Sequence, residues 1–399
     1  MHIDLNSCYA IIEQQANPLI RHKPVGIAAY ASPGGFIIAS SYEAKRLGIK
    51  LMRVREARQI CPDIIILTPD PEKYFDAHRR FRRVLERYTS NVTPKSVDEF
   101  IVDFRGSPAL RQGKSLGSVG RAMKQDIHKE LGEYVTVNIG IAPNRFLAKV
   151  AAGLDKPDGM DVITAQDIHA IYGQLDLLDL PGINSRYKAR LQLAGIYTPL
   201  DFLQAPMFKL KKEVFKSIVG YYWYLRLRGY EVDSATFKTR SFGNDYAVGD
   251  KTSDPEKIVR LLIKLCEKTG RRLRKHDYQA WGVSLWMSFE NGTAWGKSSR
   301  TKAAVYSTQE IFLNMMHLFR QATIPARLIH IHIAVFDVTP ATPIQMGLFD
   351  GTRLDTRSLA RASDIVNDRY GEFTLIPAAM ANMQDIIIKR VPFGSVRDI

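Results

Sequence analysis

Three acidic residues in apolar surroundings are the side chains of this sequence best suited to chemistry. Asp4 lies in the apolar segment His2–Leu5, and Asp98 and Glu99 lie in the largely apolar segment 96–104. Both segments are typical of buried strands, where a carboxylate is costly unless a positive group pairs with it. Two such strands side by side would form an oxygen cage suited to Mg²⁺, and two Mg²⁺ ions held by carboxylates can join nucleotides.

A structural role is the alternative for each of these carboxylates. An Asp in a strand often accepts hydrogen bonds from a turn or pairs with an Arg. Asp103 follows Asp98 by five positions, and strand side chains alternate between faces with a period of two. We therefore interpret Asp103 as structural or solvent-facing. Residue types alone leave both interpretations of Asp4, Asp98 and Glu99 open.

The composition limits the class of protein. The 399 residues suggest two to four domains, and the formal net charge of +15 favours a polyanionic partner, either nucleic acid or an anionic membrane. No apolar run approaches the roughly 20 residues of a membrane span, and no signal peptide is visible. Nucleic acid is therefore the stronger interpretation.

The cysteines indicate the compartment. Cys8, Cys61 and Cys266 are far apart in the sequence and form no CxxC pair. This pattern argues against a zinc site or a disulfide framework and favours a reducing environment. We expect a cytoplasmic protein that associates with the nucleoid.

The pattern of apolar residues divides the chain. Strands and helices alternate up to residue 161, which predicts an α+β region, and 162–233 is predicted to be helical. Beyond 239, strands are predicted at 241–248, 281–289 and 329–335, with helices at 255–276 and 307–321. The predicted order β-α-β-β-α-β gives a small open sheet with helices on one face. Residues 338–356 are predicted to be a linker, and a helix follows near 358–370.

A turn in the helical region is typical of a helix-hairpin-helix. It comprises Leu180-Pro181-Gly182-Ile183-Asn184 and is followed by Leu191 and Ala194-Gly195-Ile196. Such a turn can present backbone N–H groups to a DNA phosphate. Asn184 replaces the usual second glycine, and we expect it to preserve the turn because Asn tolerates positive φ. A turn of purely structural role is the alternative.

Basic residues dominate the second half of the chain. Residues 206–240 contain eight Lys and Arg against three Asp and Glu, and residues 238–350 contain sixteen against ten. These side chains could neutralise phosphates without reading a base sequence. A solvated helix face is the alternative for any single run.

Six ordered segments make the sequence resemble the Y-family (translesion) DNA polymerases from Met1 to about Asp350. They are HIDLNSCYA at the start, SSYEAKRLGIK at 40–50, SVDEFIVDF at 96–104, IGIAPNRFLAKVAAGLDKPDG at 139–159, LPGI at 180–183 and TRSFGNDYAV at 239–248. The resemblance implies a multidomain α+β fold, a right-hand polymerase. Its parts would be a palm at 1–7 and 71–161, fingers at 8–70, a helical thumb at 162–233, a β-α-β-β-α-β little finger at 239–341, and a linker with a C-terminal extension at 342–399.

The resemblance implies a two-metal centre. Asp4, Asp98 and Glu99 would be the catalytic carboxylates and, with the carbonyl of Leu5, would hold two Mg²⁺ ions, for which Mn²⁺ can substitute. One ion would lower the pKa of the attacking hydroxyl, and the other would neutralise charge on the leaving pyrophosphate. Asn6 departs from the Asp common in DNA polymerase IV-type members and matches UmuC-type members, so the assignment between these types stays open.

The same resemblance implies contacts to the incoming nucleotide. Tyr9 would be the steric gate, whose ring collides with a ribose 2′ oxygen and so selects dNTPs. The alternative for Tyr9 is a core aromatic. Tyr42, Lys45 and Lys156 would contact the triphosphate. Lys45 stands where many relatives have Arg, so it would offer a point charge instead of a bidentate fork.

Contacts to DNA are implied at two further places. Phe36 and Ile38 would form the roof over the templating base, where they would narrow the opening and restrict bulky lesions. Gly182, Ile183 and Arg240 would bind the DNA duplex.

The segment Gln345-Met346-Gly347-Leu348-Phe349 fits the short pattern by which bacterial polymerases dock on the sliding clamp. Leu348 and Phe349 would fill an apolar pocket, and Gln345 would form hydrogen bonds at its edge. We therefore expect primer–template DNA, dNTPs and the sliding clamp as partners. A mutagenesis accessory protein is a further expected partner, and no membrane is expected.

The resemblance implies template-directed synthesis past damaged bases, with low fidelity and no proofreading. One alternative is a catalytically weak or inactive homologue that acts as a DNA- and clamp-binding scaffold in a mutagenesis complex, which the retained carboxylates disfavour. A second alternative is another palm-type enzyme, such as a nucleotide cyclase. The hairpin, the basic second half and the clamp-like peptide disfavour it, because a cyclase needs no DNA track.

Overall fold

The computed structural model describes residues 1–107, 113, 115–234, 238–341 and 356–381. These residues fall into two compact units, 1–234 and 238–381. The clamp-like segment 345–349, with the rest of 342–355 and 382–399, lies outside the described residues. Within the described ranges, no helix combines the length and apolarity needed to cross a bilayer.

The first unit mixes strands with helices up to residue 162 and is helical thereafter. Its elements are β1 (His2–Leu5), α1 (Cys8–Ala16), β2 (Val25–Ala28), β3 (Ile37–Ser40), α2 (Tyr42–Arg46), α3 (Val54–Ile60), β4 (Ile65–Leu67), α4 (Pro71–Glu86), β5 (Val92–Pro94), β6 (Glu99–Val102), α5 (Leu116–Leu131), β7 (Val137–Ile141), α6 (Arg145–Leu154), β8 (Met160–Val162), α7 (Ile168–Tyr172), α8 (Ser185–Leu193), α9 (Pro199–Gln204) and α10 (Val219–Leu227).

A sheet with the strand order β5-β6-β1-β7-β8 forms the centre of this unit. β1 is antiparallel to both β6 and β7, and its residues Ile3 and Leu5 are almost completely buried. Helices α4 and α5 pack against each other beside the sheet. Their apolar residues recur at helical spacing, as at Phe81 and Leu85 of α4 and at Met123 of α5, so each helix has one buried face.

Helix α6 packs directly on the sheet because position 140 of β7 is a glycine. A Cβ at Gly140 would collide with the backbone carbonyl oxygen of Ala148 and the backbone nitrogen of Ala152. Any larger residue would therefore push the helix away from the sheet. This close approach lets Lys149 of α6 reach across to Glu99 of β6.

Two smaller cores complete the first unit. A sheet with the order β3-β2-β4 packs against α2 and α3 through buried residues that include Ile37, Ala44 and Val54. The helices from 168 onward pack around a cluster of aromatic side chains, in which the rings of Phe202 and Trp223 lie 5.4 Å apart.

The hairpin after residue 180 differs from its prediction. Asn184 has a φ of −101° and is the N-cap of α8, where its side chain accepts a hydrogen bond from the backbone N–H of Tyr187 at 2.9 Å. The expectation of a positive φ at Asn184 is therefore wrong. Gly182 supplies it instead, with a φ of +93°, and Asn184 is explained by capping.

The second unit has the predicted order β-α-β-β-α-β. Its elements are β9 (Ser241–Thr252), α11 (Pro255–Lys275), β10 (Tyr278–Phe289), β11 (Ala294–Val305), α12 (Thr308–Phe319), β12 (Leu328–Pro340) and α13 (Thr356–Tyr370). The strands form an antiparallel sheet in the order β11-β10-β12-β9, and α11 and α12 pack together against it. β12 continues to Pro340, so the prediction of a linker from residue 338 is wrong at its start.

The sequence pattern does not locate strand β11. This strand lies at the edge of the sheet, and most of its side chains are half-buried or exposed. An exposed edge strand has no need of the apolar alternation that marks a buried one. Only its pairing with β10 identifies it.

The described part of the C-terminal extension packs on the second unit. The guanidinium group of Arg274, in α11, donates to both carboxylate oxygens of Asp364 in α13, at 2.5 and 2.9 Å. Arg361 of α13 donates to the hydroxyl of Tyr306 at 2.9 Å. These residues therefore belong to the same compact unit as the sheet.

Candidate active site

A cleft of about 400 Å³ in the first unit brings together most of the predicted site residues. Those lining it are Asp4, Leu5, Tyr9, Ile38, Tyr42, Lys45, Asp98, Glu99 and Lys156. The described lining does not include Phe36, Gly182, Ile183 or Arg240.

The three carboxylates lie where the end of β1 meets the beginning of its neighbour β6. Asp4 and Glu99 are directly opposite each other in the antiparallel register, so their side chains share one face of the sheet. Asp98 lies in a bend immediately before β6, and its carbonyl oxygen accepts the backbone N–H of Leu5 at 2.9 Å. Adjacent residues of a strand point to opposite faces, but Asp98 precedes the strand and is not bound by this rule. Its side chain therefore can line the same cleft as Glu99.

Two lysines pair with two of the three carboxylates. Lys149 donates to both carboxylate oxygens of Glu99 at 2.7 Å, and the ammonium group of Lys156 pairs with Asp4. Lys149 is not among the predicted site residues. Its position in an amphipathic helix does not mark it as a site residue in the sequence, because it reaches Glu99 only through the packing of α6 on Gly140.

Burial raises the pKa of Asp4, an effect that the neighbouring Lys156 opposes. Burial also raises the pKa of Asp98, opposed by the Ser96 hydroxyl, which donates to the carboxylate at 2.6 Å. Both shifts mean that the ionised carboxylates are poorly solvated and would be stabilised by a nearby cation.

His2 lies close to the carboxylates but cannot neutralise them. Its Nε2 atom is 3.9 Å from Glu99, and burial lowers the pKa of its imidazole to about 3, so the ring is neutral near pH 7. Neither ring nitrogen has a hydrogen-bond partner among the described residues.

The donor set of the cleft fits a hard divalent cation. Three carboxylate-bearing residues and Leu5 line it, and Mg²⁺ prefers carboxylate and carbonyl oxygens. Across the residues that the structure describes, no three His, Cys, Asp or Glu side chains stand close enough to hold a metal ion as they are. The two lysines hold the carboxylates instead, so a cation would have to replace them.

Tyr9 reaches the cleft because the chain turns sharply after β1. Ser7 adopts a left-handed conformation with a φ of 48°, and α1 begins at the next residue. The Tyr9 ring is stacked on Tyr74 with 4.3 Å between centroids, and only 1% of Tyr9 is exposed. The ring is therefore held rigidly beside the carboxylates.

The side chains of Tyr42 and Lys45 lie together on one face of α2. The Lys45 ammonium group is 4.7 Å from the centroid of the Tyr42 ring and donates to the Ser7 hydroxyl at 2.7 Å. Burial lowers the pKa of Lys45 and raises the pKa of Tyr42 to about 12. Lys45 and Lys156 together make the side of the cleft next to Asp4 basic.

The two predicted roof residues differ in position. Ile38, in β3, is half-buried and lines the cleft. Phe36 precedes β3, forms a single bridge with Arg53, and is 47% exposed outside the described lining of the cleft. Of the two residues, only Ile38 lines the cleft, and the roof over the templating base stays a prediction.

None of the predicted DNA contacts is in the described lining of the cleft. Gly182 is exposed, whereas the side chain of Ile183 is buried in the helical core, which leaves its backbone as the group that could meet a ligand. Arg240 is exposed immediately before β9 in the second unit. Asp103 pairs with Arg105, whose hydrogen bonds lower the pKa of the Asp103 carboxyl, in keeping with its structural interpretation.

Comparison with known proteins identifies similar chains. Residues 3–153 match the impB/mucB/samB family, and residues 238–348 match the C-terminal domain of the same family. The chain is 30% identical to a DNA polymerase IV of Pelotomaculum thermopropionicum, over 97% of this chain and 96% of the relative. It is 32% identical to a DNA polymerase IV of Moorella thermoacetica, over 92% of each.

Solved structures show the same fold. A Y-family DNA polymerase chimera of Dbh and Dpo4 superposes with a TM-score of 0.73 at 23% identity, covering 84% of this chain and 98% of the chimera. An insertion ternary complex of Dbh DNA polymerase has a TM-score of 0.57 at 23% identity, covering 84% of this chain and 97% of that one.

Proposed function

This chain belongs to the impB/mucB/samB family of Y-family DNA polymerases, and from that premise we propose which residues carry out its reaction. It is a DNA-directed DNA polymerase that acts in translesion synthesis. We assign catalysis to Asp4, Asp98 and Glu99. The observation that supports this most is the direct opposition of Asp4 and Glu99 in a cleft that Asp98 also lines.

The domain bounds predicted from the sequence are part of the proposal. The palm would comprise 1–7 and 71–161, with fingers at 8–70, a thumb at 162–233 and a little finger at 239–341. Three separate apolar cores among the described residues before 235, and a further one after 238, are compatible with these four parts.

Y-family polymerases depend on divalent metal ions, and we propose that two Mg²⁺ ions bind the three carboxylates and the carbonyl of Leu5, with Mn²⁺ as a substitute. When bound, such ions lower the pKa of an attacking hydroxyl and neutralise charge on a leaving pyrophosphate. The chain's own residues would position the groups. Asp4 and Glu99 are fixed by strand pairing, and Lys156, once released from Asp4, would turn to the triphosphate.

Incoming dNTPs would bind between Tyr9 and the basic side of the cleft. Tyr42, Lys45 and Lys156 would contact the triphosphate, while the rigid Tyr9 ring would exclude a ribose 2′ hydroxyl. Tyr9→Ala should keep dNTP insertion and gain rNTP insertion in a primer-extension assay. Unchanged discrimination would remove Tyr9 from this role. Tyr88→Phe is a matched control, because Tyr88 donates to Asp126, and neither residue is in the described lining of the cleft.

Contacts with DNA and the clamp extend the proposal beyond the cleft. We assign duplex contacts to the backbone of Gly182 and Ile183 and to Arg240, and clamp docking to Gln345, Leu348 and Phe349. The same proposal includes a mutagenesis accessory protein as a partner, a cytoplasmic location and synthesis without proofreading. Deleting 345–349 should abolish stimulation by the clamp and leave clamp-independent extension intact, and retained stimulation would contradict the assignment.

Primer extension with an Asp98→Ala variant tests the catalytic assignment. The variant should bind primer–template DNA as the wild type does and should add no nucleotide, because one carboxylate of the centre is missing. If the wild type itself adds none under Mg²⁺ or Mn²⁺, the scaffold alternative is correct instead.

A further inference from the structure

Asn6 and Asn138 form a buried pair of amides beneath the loop that carries Lys156. Both side chains are almost completely shielded from solvent, with 1% and 0% exposed. We propose that this pair is a positioning device for Lys156, and that it sets the affinity of the enzyme for dNTPs. The inference rests on the proposed role of Lys156 as a triphosphate contact.

Two hydrogen bonds connect the pair to the two ends of the loop, and a third joins the two amides. The backbone N–H of Asp158 donates to Asn6 Oδ1 at 2.9 Å. Asn6 Nδ2 donates to Asn138 Oδ1 at 2.8 Å, and Asn138 Nδ2 donates to the carbonyl oxygen of Asp155 at 2.7 Å. Lys156 lies between Asp155 and Asp158, so both ends of its short loop are held by one chain of bonds.

Both amides of the pair are fixed to the central sheet by backbone pairing. Asn138 lies in β7 directly opposite Asp4, and the backbone N–H of Asn6 donates to the carbonyl oxygen of Thr136 at 2.9 Å. The amide pair thus ties the loop to β7 and to the end of β1, the strand that carries Asp4. The ammonium group of Lys156 pairs with Asp4 from the loop that is fixed in this way.

The chain of bonds requires an amide at position 6. An amide has a donor and an acceptor, whereas an ionised carboxylate only accepts. Asp at position 6 could accept from the N–H of Asp158, but it could not donate to Asn138 Oδ1. If the Asn138 amide rotated to donate to the new carboxylate, its oxygen would face the carbonyl oxygen of Asp155. Either arrangement leaves a buried polar group without its partner.

Asn6 therefore acts through Lys156 and not as a ligand of the metal centre. Its side-chain amide is engaged by the N–H of Asp158 and by Asn138, and the side chain of Tyr42 also forms a hydrogen bond with it. A change from Asp to Asn here would alter how firmly the loop is held, in addition to removing a charge.

The test is a comparison of Asn6→Asp, Lys156→Ala and the double variant in the full chain. KM for dNTP and kcat are measured on an undamaged primer–template with excess Mg²⁺. We expect Asn6→Asp to raise KM about tenfold, the factor for one buried hydrogen bond, with kcat changed by less than about twofold. In the Lys156→Ala background, Asn6→Asp should add almost nothing to KM.

Asn144→Asp is the matched control. Asn144 is also buried, and its amide donates to the carbonyl oxygens of Arg226 and Tyr230, away from the loop. This variant should lower the melting temperature without changing KM for dNTP. If it raises KM as much as Asn6→Asp does, a general loosening explains both effects and the inference is wrong. If Asn6→Asp does not fold, Asn138→Ala takes its place, because it removes the hydrogen bond to Asp155. It should raise KM for dNTP by the same factor, and this rise should disappear in the Lys156→Ala background.

The two proposals fail in different ways. If Lys156→Ala leaves KM unchanged, Lys156 is not a triphosphate contact, and the inference falls with that role. If Lys156→Ala raises KM but Asn6→Asp does not, or if Asn6→Asp retains its full effect in the Lys156→Ala background, only the positioning role is overturned.

Discussion

Asp4 and Glu99 are directly opposite each other on antiparallel strands, and each is bound by a different lysine. Lys149 comes from a helix that packs on Gly140, and Lys156 from a loop tied to Asn6 and Asn138. Two of the three carboxylates are therefore paired with lysines, one from a helix and one from the loop that directly follows it. Any divalent cation that binds must compete with both ammonium groups.

Removing Lys149 should strengthen metal binding. Its ammonium group is 2.7 Å from both oxygens of Glu99 and is partly exposed, so the pair contributes about 1 kcal/mol or less. We expect Lys149→Gln to bind Mn²⁺ up to roughly fivefold more tightly, since about 1 kcal/mol corresponds to that factor. Electron paramagnetic resonance titration of the protein without DNA measures this. Lys129→Gln, at an exposed position of α5, should bind as the wild type does, and weaker binding by Lys149→Gln would contradict the competition.

Truncating Ile38 should widen the cleft on its β3 side. Ile38 is half-buried and lines the cleft, whereas Phe36 is exposed outside its described lining. We expect Ile38→Ala to insert nucleotides opposite a bulky adduct several-fold faster, relative to undamaged template, and Phe36→Ala to behave as the wild type does. Single-nucleotide insertion on paired templates measures the ratio. Equal bypass by wild type and Ile38→Ala would show that Ile38 does not restrict lesions.

The buried imidazole of His78 should make stability depend on pH. Burial lowers its pKa from the ordinary value of 6.5, although its Nδ1 atom lies 2.8 Å from the carbonyl oxygen of Val97. The unfolded chain then binds the proton more readily than the folded one. The contribution to stability is complete above about pH 6.5 and is lost as the pH falls toward the lowered pKa, by at most about 1.4 kcal/mol per pH unit.

Urea unfolding between pH 7 and pH 5 measures this effect. The free energy of unfolding of His78→Gln should fall less steeply over that range than that of the wild type. His169→Gln, at an exposed position of α7, should retain the wild-type slope. An identical slope for His78→Gln would mean that the imidazole binds protons equally in the folded and unfolded chain, which would contradict the lowered pKa.

The C-terminal helix α13 should stabilise the unit on which it packs. The side chain of Arg274 is 3% exposed and donates to both oxygens of Asp364. Asp364→Asn would leave the buried guanidinium group with only the more distant carboxylate of Glu267, 4.0 Å away, at a cost of about 3 kcal/mol. Unfolding followed by tryptophan fluorescence measures it, because Trp281, Trp286 and Trp295 lie in the second unit.

Asp368→Asn is the control for this experiment. Asp368 pairs with Arg271, but its side chain is 74% exposed, so its loss should cost less than about 1 kcal/mol. Equal effects of the two substitutions would show that the buried pair with Arg274 is not what anchors α13.

The sequence identifies the carboxylates of this site better than the residues that hold them in place. Only the resemblance to a family favours the metal-binding role of Asp4, Asp98 and Glu99 over a structural one, whereas residue types and spacing mark them as candidates and set Asp103 apart. They are not enough to select Lys149, because its role depends on the packing of α6 on Gly140. The link between Asn6 and Asn138 is equally hidden, since it joins two strands and a loop that are distant in the chain.

The same distinction applies to the fold. Buried strands such as β10 and β12 are marked by their apolar residues, but the exposed edge strand β11 is not. Asn184 does not substitute for a hairpin glycine as expected, because it caps a helix. Both errors come from interpreting a residue type without the hydrogen-bond partner that decides its conformation.

The central claim is that Asp4, Asp98 and Glu99 form the catalytic centre while Asp103, in the same segment, does not. Single-nucleotide insertion with Mg²⁺, compared between wild type, Asp98→Asn and Asp103→Asn, tests it most directly. We predict a loss of insertion rate on the order of 10³-fold for Asp98→Asn, as expected for a group that stabilises transition-state charge. Asp103→Asn should stay within about twofold of the wild type, because Asp103 pairs with Arg105. Near wild-type insertion by Asp98→Asn, or an equal loss in Asp103→Asn, would contradict the account.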